Sequence, residues 1–143
     1  MGSYLVVGNQ TLDSPELAAA IAERMASGVS TFHVVVPATP VQRGLTWDED
    51  EARATADQRL TAALARIRAL GAQVSGEIGA RDPIEATEDA LRRREVDEVI
   101  LSTLPAGISR WLGQDVPTRL KGSVLVPVTV VTTKNESVSP GKR

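Results

Sequence analysis

Val96-Asp97-Glu98-Val99-Ile100-Leu101-Ser102-Thr103 is an apolar strand that ends in hydroxyls. It runs into the Gly/Pro turn Leu104-Pro105-Ala106-Gly107. A short helical region, Ile108-Ser109-Arg110-Trp111-Leu112-Gly113, follows, and a second apolar strand leaves at Pro127-Val128-Thr129-Val130-Val131. This is half of a parallel βαβ arrangement. Its hydroxyl-bearing loop lies at the carboxyl end of a strand, where open α/β sheets take their ligands. Ser102 and Thr103 therefore have two readings, as ligand contacts at that lip or as caps of the turn that follows.

Upstream, the same alternation repeats. Tyr4-Leu5-Val6-Val7 is a short apolar strand ended by Gly8-Asn9. Ser14-Pro15-Glu16 opens a helix, with Ser14 as N-cap and Pro15 at the first helical position, where its missing N–H costs nothing. Leu17, Ile21 and Met25 recur at a helical interval, and Gly28 ends the helix. Thr31 to Val36 reads as a second strand, apolar enough to be buried on both faces. Pro37-Ala38-Thr39-Pro40 stops it, and a long loop runs to about Leu45. Thr46-Trp47-Asp48-Glu49 is a capping box. It starts the longest helix, which ends at Leu70 before Gly71, with Ala56, Leu60, Ala63, Leu64, Ile67 and Leu70 as its apolar stripe. Asp48, Glu49, Asp50 and Glu51 lie in its first turn, where the helix dipole favours negative charge. Gln73 to Ile78 is a more polar strand suited to a sheet edge. Asp82-Pro83-Ile84-Glu85 opens a third helix, with Ile84, Thr87 and Leu91 facing inward and Arg92, Arg93 and Arg94 at its carbonyl end. The apolar segments Glu98–Ser102 and Val128–Thr132 are strands four and five. Five strands alternating with helices call for a parallel sheet.

Composition limits the chemistry. The chain has 143 residues, 42% of them apolar but only four aromatic. Its core must be built from Val, Leu, Ile and Ala, the usual filling of a parallel sheet covered by helices. The length suits one domain over residues 1–133, and the polar tail 134–143 has nothing to bury. Net charge is −2, which gives no global field for nucleic acid or an acidic membrane. There is no Cys and a single His, so disulfides, thiolate chemistry and sites needing two imidazoles are excluded. No apolar run reaches the roughly 20 residues of a membrane span, and the first residues lack a leader pattern, so a cytoplasmic location is expected.

From Leu5 to Val131, in element order and length, the chain resembles the universal stress protein family, in a variant associated with actinobacteria. The resemblance implies an α/β/α three-layer sandwich with a five-stranded parallel, Rossmann-like sheet in the order 3-2-1-4-5. It further implies ATP across the carboxyl ends of strands one and four, and a homodimer formed by antiparallel pairing of fifth strands. In the ATP-binding branch strand one ends in an Asp, and the loop after strand four carries G-x-x-G and a later G-[S/T] that cradle phosphates. Here the Asp falls on Asn9 and the first two glycines on Ser102 and Pro105, while Asp115-Val116 or Gly113-Gln114 stands for the final pair. A phosphate cradle needs free backbone N–H groups and close approach. Pro105 removes one donor, so the loop is a degenerate form of the motif.

The candidate ligand contacts are Gly8, Asn9, Gln10 and Thr11 after strand one, Val36 at the end of strand two, and Ser102, Thr103, Gly107, Arg110 and Gly113 around the strand-four loop. Arg110 offers a fork for a phosphate or carboxylate. Trp111 reads as a stacking surface or as core, and His33 as a packed strand residue. The edge strand Val128–Thr132 carries few charges and invites a second copy of the chain. Three functions compete. The first is a non-catalytic stress-response or signalling protein holding a nucleotide or other small ligand. The second is an interaction module of the same fold that has lost ATP binding. The third is a weak nucleotide hydrolase, for which the sequence shows no nucleophile–base pair and no acidic metal cluster.

Overall fold

The computed structural model describes residues 2–38, 49–105 and 110–134. Five strands, β1 (Gly2–Val7), β2 (Ser30–Pro37), β3 (Gln73–Gly79), β4 (Glu98–Thr103) and β5 (Val128–Thr132), alternate with α1 (Pro15–Ala26), α2 (Glu49–Ala69), α3 (Pro83–Arg93), and the pair α4 (Arg110–Gly113) and α5 (Val116–Ser123). The strands form one all-parallel sheet in the order β3-β2-β1-β4-β5. The order reverses between β1 and β4, which places a crevice at their carboxyl ends.

The period-two alternation of strand side chains divides the core in two. Val6, Phe32, Val34, Val36 and Ile100 face α1 and α2, where they meet Leu17, Ile21, Ala56, Leu60, Ala63 and Ile67. Leu5, Val7, Val35, Val99 and Leu101 face α3, α4 and α5, against Ile84, Ala86, Ala90, Trp111, Val116 and Leu120. Trp111 is therefore core, 9% exposed. Local chemistry starts the helices as their sequences suggest. The Ser14 hydroxyl accepts from the Leu17 N–H at 3.1 Å, and the Asp82 carboxylate from the Glu85 N–H at 3.1 Å, each followed by Pro at the first helical position.

Two expectations are corrected. β1 begins at Gly2, two residues before Tyr4, because Gly2 and Ser3 pair with Ser30 and Thr31. Leu70 does not belong to the buried stripe of α2. The helix ends at Ala69, and Leu70 lies in the turn, 40% exposed, ahead of Gly71, whose φ of 100° favours glycine. The capping box at Thr46-Trp47-Asp48, the loop before it and the tail from Asn135 lie outside the described residues. Among the described residues no helix is long and apolar enough to cross a membrane.

Candidate functional site

At the β1/β4 crevice the chain turns back on itself very tightly. A Cβ on Gly8 would come within 2.8 Å of Leu12 Cδ2 and 3.2 Å of Ser102 Cβ, so a larger residue there would need the Leu12 side chain and β4 to give way. The closure is sealed by a hydroxyl pair. Thr11 Oγ1 and Ser102 Oγ lie 2.5 Å apart, and both residues are buried. Gly8, Thr11 and Ser102 are thus brought together, and the two hydroxyls spend at least one proton on each other.

The remaining candidates spread around the lip. Asn9 is half-buried and bonded in two directions. Its amide N–H₂ donates to the Pro37 carbonyl at 2.8 Å, and its carbonyl accepts from the Arg59 guanidinium on α2. Gln10 is exposed beside it. Val36 is fully buried in the core, so only its backbone reaches the lip. Thr103 turns towards the sheet edge, where its hydroxyl is 3.4 Å from that of Thr132 and its carbonyl accepts from the Thr133 N–H at 2.9 Å. The Thr133 hydroxyl is buried and has no hydrogen-bond partner among the described residues. Gly107 lies outside the described residues; Arg110 and Gly113 are the first and last residues of α4. Asp115, a position of the degenerate motif, stands just before α5 with φ 60°, a left-handed conformation that short polar side chains tolerate.

A second polar cluster lies on the α3 side of the sheet. His33 on β2 is 6% exposed. Its Nδ1 is 2.7 Å from the Ser75 hydroxyl and its Nε2 2.9 Å from Glu77 Oε2, both on β3. The other Glu77 oxygen pairs with Arg93 at 2.9 Å. Burial holds the imidazole below its ordinary pKa of 6.5, against the bond to Glu77 and helped by the charges of Arg94 and Arg93. Burial also works to raise the Glu77 carboxyl, but the hydrogen bonds from His33 and Arg93 outweigh it and hold that group below its ordinary value. His33 is packed, as its strand position suggests, yet it is also bonded at both ring nitrogens. Alternation in β3 puts Ser75 and Glu77 on one face; the register that brings them to His33 has no sequence signal.

Among the described residues no group of three or more His, Cys, Asp or Glu side chains is placed to hold a metal ion. No family model matches the chain. No curated protein matches it in sequence. Solved structures do match in fold. A protein of the universal stress protein family from Burkholderia pseudomallei superposes with TM-score 0.62 at 20% identity, over 91% of this chain and 95% of that one. A universal stress protein family protein from Arabidopsis thaliana with AMP bound gives TM-score 0.65 at 10% identity, over 97% and 96%. The universal stress protein from Archaeoglobus fulgidus in complex with dAMP gives 0.59 at 20% identity, over 92% and 97%. The chain has the universal stress protein fold, with the strand order its sequence resemblance implies.

Proposed function

We propose that this chain is a universal-stress-protein-like stress-response protein of the cytoplasm, that it holds an adenine nucleotide at the β1/β4 crevice without turning it over there, and that it works as a homodimer. The likeness to structures named with AMP and dAMP, over more than nine-tenths of the chain, is the observation that carries the nucleotide reading. The lip carries the Asn9 and Gln10 amides beside the buried Thr11–Ser102 hydroxyl pair, polar groups of the kind that fix a small ligand in a crevice. ATP is the family-implied ligand. With Pro105 at a glycine position, a monophosphate asks for fewer loop amides than a triphosphate does.

Thermal unfolding of the purified chain with AMP, dAMP, Mg-ATP and GTP tests this. A ligand at about 100 times its dissociation constant adds roughly 2.7 kcal/mol. For a chain of this length that raises Tm by about 5 °C or more. AMP and dAMP should give that shift, and Asn9→Ala with Ser102→Ala should diminish it. No shift at millimolar nucleotide, in protein free of carried-over ligand, removes the nucleotide reading. A second reading, an interaction module that has lost nucleotide binding, is favoured by the Asn9 amide, whose two ends are already spent on Pro37 and Arg59.

The dimer rests on β5. It is an edge of the sheet, its Val128, Val130 and Val131 are only half-buried, and it carries no charged residue. Sedimentation should find twice the chain mass, and Val130→Glu should return it to the monomer. A parent chain that sediments as a monomer at micromolar concentration rejects the pairing.

A further inference from the structure

We propose that Ser75 is a nucleophile for acyl transfer from esters with an apolar acyl group, with His33 as its general base and Glu77 and Arg93 as positioning residues. This activity is separate from the β1/β4 crevice and does not rest on the nucleotide reading.

The geometry is that of a hydroxyl–imidazole–carboxylate relay. Glu77 is an acceptor only, so it takes the Nε2–H, and Nδ1 is left with its lone pair towards the Ser75 O–H. That is the tautomer a general base requires. Glu77 is itself fixed, because its second oxygen is held by Arg93. The imidazole is buried while the serine is exposed, so the base is locked and the nucleophile is reachable. Burial keeps the ring uncharged near neutrality, with Glu77 from β3 and Arg93 and Arg94 from the end of α3 as the charged groups around it.

A place for substrate lies towards the amino end of the same sheet face, two residues along the strands from the relay. A groove of about 1070 Å³ opens at the amino ends of the strands, bounded by Thr31, Gln73, Leu91, Arg94, Val96 and Leu125. Thr31 and Gln73 are register partners, as are His33 and Ser75 two residues further on. Both pairs therefore share one face of the sheet, about 7 Å apart along the strands. Leu125 is fully exposed and Leu91 and Val96 half-buried, which gives an acyl chain an apolar wall. The Arg94 guanidinium, which borders the groove, and the backbone N–H groups on the unpaired side of edge strand β3 are the donors at hand for an oxyanion.

In the reaction, Ser75 Oγ bonds to the ester carbonyl carbon as its proton passes to His33 Nδ1, and the carbonyl oxygen takes up the electron pair. When the carbonyl reforms, the bond to the alcohol oxygen breaks and the leaving alkoxide takes the proton from Nδ1. Water then repeats both steps on the Ser75 ester, and the carboxylic acid leaves.

The test is labelling of the full chain with an alkyl fluorophosphonate, in which Ser75 Oγ displaces fluoride, alongside hydrolysis of p-nitrophenyl butyrate. Peptide mass mapping should find one adduct, on Ser75. Ser75→Ala should abolish both signals while the chain still unfolds cooperatively, with a Tm lower by about a few degrees because His33 Nδ1 loses its partner. His33→Gln and Glu77→Gln should each slow labelling by about 100-fold, the scale of general-base catalysis. In Glu77→Gln the new side-chain amide can donate to Nε2, which reverses the tautomer. Labelling should rise with pH and level off before neutrality, as His33 loses its proton. Three results overturn the proposal: no adduct on Ser75, adducts spread over several serines, or the same Ser75 rate in native and urea-unfolded chain. Should His33→Gln fail to fold, an undiminished rate in Glu77→Gln overturns it as well.

Discussion

Phe32→Ala should unfold roughly 10–20 °C below the parent, a loss of about 3–5 kcal/mol. Phe32 is the only phenylalanine in the chain and is 2% exposed, the third residue of β2, on the face covered by α1 and α2. Its neighbours in that core are Leu, Ile, Val and Ala side chains, which cannot collapse into the volume of a lost ring without shifting both helices. The ring also stacks on Tyr4, with centroids 5.2 Å apart and planes at 22°. Such a pair adds about 0.5–1.5 kcal/mol beyond the area buried. Denaturant unfolding monitored by circular dichroism measures the loss. Phe32→Leu, which keeps most of the volume and removes the stack, should fall between parent and Ala. Leu70→Ala serves as the contrast. That side chain lies in the turn after α2, and its truncation should change stability by less than about 0.5 kcal/mol.

The difference between Phe32 and Leu70 shows where the fold is readable in the sequence. Phe32 sits in an unbroken apolar run, and β2 is buried on both faces as such a run requires. Ser14-Pro15 and Asp82-Pro83 mark helix starts through short-range chemistry, and both caps are made. Leu70 keeps the helical spacing of Ile67 and Leu64, but periodicity does not say where a helix stops. Gly71 ends α2 one residue earlier than the stripe implies. The extra residues of β1 come from pairing with Ser30 and Thr31, a long-range property that no local window contains.

The candidate site residues divide in the same way. Gly8, Asn9, Ser102 and Thr103 are readable because strand ends and breakers mark the carboxyl lip. Which of them face each other is not. Thr11 meets Ser102, 91 positions away, and Asn9 meets Arg59, 50 away. His33 looks inert in sequence because its partners are fixed by the β2–β3 register. Ser75 and Glu77 lie 42 and 44 positions further along, in a strand that reads as a polar edge.

Arg24→Ala should cost about 2–3 kcal/mol at neutral pH, the penalty for leaving a largely buried carboxylate without its cation, reduced for some solvent access. Arg24 on α1 forks onto Glu98 at the start of β4, with Nη2 to Oε2 at 2.7 Å and Nε to Oε1 at 3.2 Å; their side chains are 16% and 18% exposed. Thr129 of β5 donates to the same carboxylate, so one charge pair ties α1 to both strands at the free edge of the sheet. The hydrogen bond from Arg24, opposed by burial and aided by Thr129, holds the Glu98 carboxyl below its ordinary 4.5. A lowered carboxyl pKa contributes stability that is complete above the unfolded value and lost as pH falls through the folded one. The gap between parent and Arg24→Ala should therefore be widest near pH 7 and narrow as the solution is taken below about 4.5, which urea midpoints at several pH values measure. A gap that stays constant across that range would assign the loss to packing of the arginine stem rather than to its charge. The double variant Arg24→Met with Glu98→Leu removes both charges and should recover much of the loss, because the penalty comes from the orphaned carboxylate and not from the absence of an ion pair.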